Sequence, residues 1–450
     1  MKNKSSKINT LLVIDDSRGI KYKIKYLLML LRNSGQNIYV LCRDKKPFLN
    51  LESEKIKFIS ATSELPITLK KTNNIEKILS KVDIKHFINY INLNNGKYSL
   101  AEVEGSQPFF ELISKPTIPT LEYTYCLIKK LVMKLRINNF IILNGFSVMG
   151  FASSLLSSEY SIQSIYWENG LLPNSLIIDE VGVNYFSKLS KDFLKKRSRN
   201  KNKLIKENLE NKLKDVISSK KHILVCLQLD LDTNIIFNSQ FVNTYHFLEV
   251  VIKTILPSCK GEMNLRIHPK TRNSKPIIDW IRSNKNKNLK INNLKNSIED
   301  SIKSSDLIIT INSTVAIESI LENKDVLIFG ETAYSNIFED FYLNKNDFKV
   351  KYNFYQSNKD LSLRKIIIDN IANKSLFIDK NEIENNINKI KKVMNNDNHN
   401  FLMKKHQYPI KLPYKLINIR SNPGLMRFIY LRIEKKIKII FKAFKIFLKK

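Results

Sequence analysis

Four short segments of this 450-residue sequence concentrate side chains able to do chemistry, and each follows a run of strand-forming residues. The first is Trp167-Glu168-Asn169-Gly170-Leu171-Leu172-Pro173, continued by Asp179 and Gly182-Val183-Asn184. It sets Glu168 just beyond an apolar strand in a turn shaped by Gly170 and Pro173. A carboxylate there has its pKa raised and serves as general acid or base, or it only orders its own loop. The second is Gln228-Leu229-Asp230-Leu231-Asp232-Thr233-Asn234. Its Asp-x-Asp-x-Asn spacing imitates a calcium loop, but Ile235 stands where the turn glycine belongs and Phe241 where the bidentate glutamate belongs, so that use is excluded. Asp230 and Asp232 are left as ligands of a metal–nucleotide complex or as carboxylates facing a reacting substrate. In the third, Arg266-Ile267-His268-Pro269-Lys270, His268 can donate to a phosphate, Pro269 fixes the turn, and Arg266 or Lys270 adds charge. The bland alternative is an ordinary loop histidine. In the fourth, Ile311-Asn312-Ser313-Thr314-Val315-Ala316-Ile317-Glu318, an apolar strand runs into hydroxyl residues at a helix start. Asn312, Ser313 and Thr314 there make a phosphate cradle or a simple helix cap, and Glu318, one turn on, can reach a ribose hydroxyl. There is no Walker loop and no G-x-G-x-x-G, which argues against an ATPase or a dinucleotide oxidoreductase.

The elements that must position these residues read as an α/β alternation. Leu11–Ile14, Ile38–Cys42, Phe58–Ser60, Phe140–Leu143 and Ile165–Trp167 are predicted strands, with a helix over Ile20–Leu31 ending near Gly35. A second series has strands at His222–Leu229, Leu265–Ile267, Leu289–Ile291, Leu307–Ile311 and Val326–Phe329, with helices at Asn243–Leu256, Ile277–Ser283, Ile298–Ser304 and Val315–Leu321. Between them, 191–220 is rich in Lys and Asn and reads as a linker or exposed helix. The expected division is 1–190 as a first Rossmann-like domain, 191–220 as linker, 221–400 as a second Rossmann-like domain, and 401–450 as a tail. In that tail Ile437, Ile440, Phe441, Phe444 and Phe447 share one helical face while Lys435, Lys436, Lys438, Lys442, Lys445 and Lys449 cover the rest. This is the pattern of an interfacial membrane anchor, or of a terminal helix docked on the core.

Composition bounds the partners. Seventy-five Lys and Arg against 42 Asp and Glu give a net charge of +33, which favours nucleic acid, anionic lipid or phosphorylated substrates. Lys far outnumbers Arg and the chain is crowded with Asn and Ile, so part of the basicity reflects an AT-rich coding bias. Cys42, Cys126, Cys226 and Cys259 show no metal-ligand spacing and no disulfide framework, in keeping with a reducing cytoplasm. The apolar run Leu11–Ile14 is too short for a signal peptide, and no run is long enough for a membrane-spanning helix.

Taken in order, the motifs resemble the capsule-polysaccharide biosynthesis family that includes the β-Kdo transferases, Kdo being 3-deoxy-manno-octulosonic acid. The resemblance rests on Asp15-Asp16-Ser17-Arg18-Gly19, Asn144-Gly145, the segment from Trp167 to Asn184, Gln228–Asn234, Arg266–Lys270, Ile311–Ser319, and Gly330 with Tyr334. It implies a GT-B architecture of two Rossmann-like domains facing a cleft, with the acceptor on the first and a CMP-sugar on the second. It implies that His268, Ser313 and Thr314 hold the CMP phosphate without a metal or other cofactor. It also implies a retaining reaction in which Asp232, in preference to Asp230, is the key acid beside Glu168. The expectation is therefore a glycosyltransferase moving Kdo from CMP-Kdo to a glycan or glycolipid acceptor, cytoplasmic and peripheral at the inner membrane through its C-terminal helix. A sialyltransferase or another nucleotide-sugar transferase is the nearest alternative. A basic membrane- or nucleic-acid-binding protein would need the charge but not the ordered motifs, and no nucleic-acid partner is expected.

Overall fold

The computed structural model describes residues 8–14, 21–42, 46–61, 117–199, 209–229, 232–241, 244–271, 274–284, 286–292, 296–338, 340–345, 348–358 and 361–394. The predicted Asp15–Gly19 motif, Asp230 and the amphipathic tail lie outside the described residues.

The first half runs β1 (Asn9–Ile14), α1 (Lys21–Asn33), β2 (Asn37–Cys42), β3 (Ile56–Ser60), α2 (Thr117–Leu135), β4 (Asn139–Leu143), α3 (Val148–Glu159), β5 (Gln163–Asn169), β6 (Ser175–Asp179), α4 (Lys188–Arg199) and α5 (Leu209–Ser219). The second half runs β7 (His222–Cys226), α6 (Thr233–Asn238), α7 (Thr244–Thr254), β8 (Glu262–Arg266), α8 (Lys275–Ser283), β9 (Leu289–Ile291), α9 (Ile298–Lys303), β10 (Leu307–Thr310), α10 (Val315–Leu321), β11 (Asp325–Ile328), β12 (Asp340–Lys345), β13 (Phe348–Tyr355), α11 (Leu361–Lys374), β14 (Ser375–Phe377) and α12 (Ile383–Met394). Two seven-stranded sheets result, ordered β14-β6-β5-β4-β1-β2-β3 and β12-β13-β11-β10-β7-β8-β9. The strands from β1 to β5 and from β7 to β11 pair in parallel, and the antiparallel pairs lie toward one edge of each sheet. This is the GT-B architecture that the resemblance implies.

The central strands are buried on both faces because helices cover both, which is why they read as unbroken apolar runs rather than alternating ones. Leu11 to Ile14 and Leu307 to Ile309 are each almost fully buried. On α1, Ile24, Leu27, Leu28 and Leu31 recur at helical spacing and face the same core as β1 and β2.

The described residues of 191–220, expected as linker or exposed helix, are helical: α4 covers the start, and α5 places Leu213 and Ile217, four residues apart, in the second core. Lys and Asn on the remaining faces hide this stripe in the sequence. The second domain also ends before residue 400, because β14 returns to pair with β6, Leu376 opposite Leu176, and α12 packs on the first core through Ile390, Val393 and Met394.

Besides β14 and α12, a further apolar cluster joins the halves. Leu171 and Leu172 of the β5–β6 turn, with Leu189 and Phe193 of α4, pack against Ile317 and Ile320 of α10, Tyr334, Phe338 and Ile371 of α11. Asn336 Nδ2 adds a 2.7 Å bond to Ser190 Oγ across the same seam. The cluster fixes the β5–β6 turn, and with it Glu168, against the second half.

Candidate active site

On the first half, Glu168 is the penultimate residue of β5, opposite Ile177 of β6. The turn beyond it is tight: a Cβ on Gly170 would lie 2.7 Å from the Ser175 backbone carbon, so only glycine fits. Asn184 Nδ2 donates to Glu168 Oε2 at 3.2 Å from a backbone held at φ +54. The loop that carries Asn184 is anchored by the buried Asp179 carboxylate, which accepts from the backbone N–H groups of Val181, Gly182, Lys188 and Leu189. Beside it, Glu180 pairs with both Lys188 and Lys374. Asp179, singled out in the sequence with Glu168, is thus a loop anchor.

On the second half, every motif stands beyond the C-terminal end of a parallel strand, the edge at which open α/β sheets bind ligands. Asp232 caps α6, its Oδ1 accepting from Asn234 N at 2.8 Å. Gln228 and Asn312 tie the ends of β7 and β10 together: Gln228 Nε2 donates to Asn312 Oδ1 at 3.0 Å, and Asn312 N donates to Gln228 Oε1 at 2.9 Å. Asn312 Nδ2 donates on to the carbonyls of Asn234 and Asn238 at 2.8 and 3.2 Å. A Cβ on Gly330 would press to 2.9 Å of that same nitrogen. Asn312, expected in a phosphate cradle, therefore has its side chain built into a buried latch under α6.

Arg266 is similarly committed, with Nη1 donating to Asn292 Oδ1 and Ser301 Oγ and Nη2 to the Asn296 carbonyl, each at 2.9 Å. His268 Nδ1 accepts from Lys270 N at 3.1 Å across the Pro269 turn, which leaves the ring proton of neutral histidine on Nε2. Burial and then the Lys270 charge lower the His268 pKa, so the ring is neutral at physiological pH. Ser313 Oγ accepts from Val315 N at 3.3 Å, while Thr314, at the start of α10, makes no side-chain cap and is exposed. Glu318 is bonded by Thr314; burial, then the Glu299 charge, raises its pKa.

The two carboxyls, one from each half, lie close enough for the charge of one to bear on the other. Burial is the main cause that pushes Glu168 up to about 8; the charge of Asp232 adds to it, and the Asn184 bond opposes it. Burial also raises the Asp232 carboxyl, against bonds from Asn234 and Gln228. Of two carboxyls that feel one another, the one with more hydrogen-bond donors ionises first and the other keeps its proton to higher pH. Sequence reasoning selected both acids. It missed Asn184 as the partner of Glu168 and Gln228 as half of the latch, although both lie inside the motifs it singled out.

Residues 194–337 match the family described as capsule polysaccharide biosynthesis protein, and this stretch contains the Gln228, Arg266 and Ile311 motifs. Among curated proteins the chain is similar to Protein FixF of Sinorhizobium fredii, 23% identical over 205 residues, or 43% of this chain and 49% of that protein. The chain thus spans about half the length of the curated relative it matches. Among solved structures it is similar to Thermosulfurimonas dismutans KpsC, beta Kdo 2,7 transferase, at 17% identity and TM-score 0.36, covering 59% of this chain and 88% of that one. The beta Kdo 2,4 transferase of the same KpsC matches at 15% identity and TM-score 0.29, over 44% and 71%. Methanocaldococcus jannaschii UDP-GlcNAc 2-epimerase matches at 11% identity and TM-score 0.31, over 72% and 84%.

Proposed function

We propose that this chain is a glycosyltransferase of capsular or related surface polysaccharide synthesis that moves Kdo from CMP-Kdo to a glycan or glycolipid acceptor with retention of configuration. The observation that carries the reading is the placement of Glu168 at the end of β5 and of Asp232 at the start of α6, one from each half, within reach of one another's charge.

In this scheme His268 Nε2–H and the Ser313 and Thr314 hydroxyls hold the CMP phosphate, and Glu318 takes the ribose. A carboxylate oxygen of Asp232 bonds to the anomeric carbon, and the sugar–phosphate bond breaks with its electron pair leaving on CMP. Forming that ester removes the Asp232 charge, one of the causes that hold Glu168 protonated. Glu168 then releases its proton to solvent and accepts another from the acceptor hydroxyl, whose oxygen displaces Asp232 from the anomeric carbon. Two inversions give net retention. Lys270 lends positive charge beside the phosphate, and the scheme uses no metal.

The test is intact-protein mass spectrometry after incubation with CMP-Kdo without acceptor. The expected result is a Kdo-sized adduct on the wild type that is missing from Asp232→Asn. Stabilisation by UDP rather than CMP, or an adduct that survives in Asp232→Asn, rejects this scheme; turnover of a CMP-sialic acid instead keeps the donor class and changes the sugar.

A further inference from the structure

The end of the first half farthest from the carboxylates has its own chemistry. β1, β2, β4 and β5 run in parallel, so Asn9, Asn37, Asn139 and Gln163 all begin at one edge. α1, α2 and α3 each precede one of these strands and end at that edge. α12 ends there too, for Gln36 Nε2 contacts Met394 Sδ at 3.3 Å. The exposed cations gathered by these helix ends include Arg32, Lys130, Lys134, Arg136, Lys391 and Lys392. Among the described residues at this edge, the acids beside them are Glu54 and Glu159, and Glu159 is already paired with Lys129 at 3.9 Å.

Cations at helix C-termini complement the helix dipole and need no further reason. The apolar residues between them do. Met133 is 66% exposed and Ile8 46% exposed, and Tyr160, 37% exposed, lies under Lys129 Nζ at 5.1 Å from its ring centroid. Lys130, Met133 and Lys134 are neighbours on one face of α2. Ile8 joins the same patch, because Asn9 Nδ2 donates to the Leu135 carbonyl at 2.7 Å. An exposed thioether and aliphatic side chain ringed by Lys and Arg match the acyl–headgroup boundary of an anionic bilayer, where apolar insertion and charge attraction add.

Ile8 and Met394, the first and last described residues, both lie at this edge. Residues 1–7 hold Lys2, Lys4 and Lys7, and residues 395–450 hold 14 Lys and Arg against Asp397 and Glu434. We propose that the N-terminal edge of the first sheet is a docking surface for anionic lipid, centred on Met133, which turns the cleft away from the bilayer. Glu168 is five residues along β5 from Gln163, so the carboxylates stand roughly 17 Å or more above that surface. On the glycosyltransferase reading, on which this corollary alone rests, an acceptor anchored in the same bilayer must present its hydroxyl at that height, as an extended glycan does.

The experiment is co-sedimentation of the full chain with phosphatidylglycerol–phosphatidylcholine vesicles. Lys130→Glu with Lys134→Glu should weaken binding roughly tenfold or more. The charge-matched control, Lys275→Glu with Lys303→Glu on the second half, should leave it near wild type. Equal loss in both pairs, or none in the first, overturns the proposal. Met133→Trp keeps every charge and guards against a misfolded double variant: its emission should shift to the blue on these vesicles but not with soluble heparin. No blue shift with vesicles, or the same shift with heparin, overturns it as well. None of these readouts requires turnover, so they stand apart from the proposed activity.

Discussion

Glu168 and Asp232 lie within reach of one another's charge, yet the two halves present them by different means. Glu168 stands on a strand, aimed by its register against Ile177, and its carboxyl has the Asn184 amide as neighbour. Asp232 stands at a helix start, where bonds from Asn234 and Gln228 favour its charged form. The strand position leaves ionisation to burial and to the opposing charge, whereas the capping position supplies donors. The strand-borne acid is the one that keeps its proton, and in the proposed reaction the capped acid is the nucleophile and the strand-borne one the proton carrier.

The largest loss is expected of Asp232→Asn. Turnover should fall by roughly a thousandfold or more while CMP affinity stays near wild type, because only the transition state needs the anion. Removing the Asp232 charge should also lower the pKa of Glu168, which difference infrared titration of the carboxyl reads directly. An unmoved Glu168 would mean that the two groups do not sense one another.

Next comes Glu168→Gln, expected to slow transfer to acceptor by roughly 10²–10⁴-fold while the sugar adduct on Asp232 still forms. Its stability has a definite sign. A carboxyl whose folded-state pKa is raised favours the fold below its unfolded value, and that contribution is lost as pH rises through about 8. Glu168→Gln should therefore melt like the wild type near pH 4 and a few degrees above it near pH 9. A wild type that gained stability with pH relative to this variant would reverse the assignment.

Much of this was legible in the sequence and some was not, for physical reasons. Leu307–Thr310 reads as a strand because both its faces are buried. Strand β14 was invisible: three residues carry no period, and the pairing of Leu376 with Leu176 spans 200 positions. Leu213 and Ile217 were hidden by the Lys and Asn around them. The acids Glu168 and Asp232 could be chosen by residue type and by their place after a strand, but their meeting depends on the Leu171–Phe193 cluster, which only tertiary packing makes. Gln228 and Asn312 look like cleft polar groups in sequence and prove to be each other's partners 84 residues apart.

That last pair yields a third prediction. Asn312→Ala keeps the backbone N–H bond to Gln228 Oε1 but removes the acceptor of Gln228 Nε2 and the donor to the Asn234 and Asn238 carbonyls, and should destabilise by about 2–4 kcal/mol in urea unfolding. A variant that keeps its stability and loses only CMP affinity would return Asn312 to the phosphate cradle. Fourth, His268→Ala should weaken CMP binding by roughly 10- to 100-fold with an unchanged melting temperature, since an Nε2–H bond to a charged phosphate is lost from a loop. Unchanged affinity in the folded variant would remove His268 from the donor site.

The smallest expected effect separates Arg266 from His268 within the same five-residue motif. Their difference lies in what each side chain already does. The Arg266 guanidinium gives three N–H bonds to Asn292, Ser301 and Asn296 and so joins the end of β8 to β9 and α9. His268 keeps its Nε2–H for a ligand. Arg266→Lys retains the charge but not the fork, so it should lower the melting temperature by about 2–4 °C for each kcal/mol of lost bonding and change CMP affinity by less than roughly threefold. The pair of measurements discriminates, because a lost phosphate contact and a lost brace move different readouts. If Arg266→Lys instead weakened CMP as strongly as His268→Ala at an unchanged melting temperature, the guanidinium would be a donor ligand. The brace seen between β8 and α9 would then have to open when CMP binds.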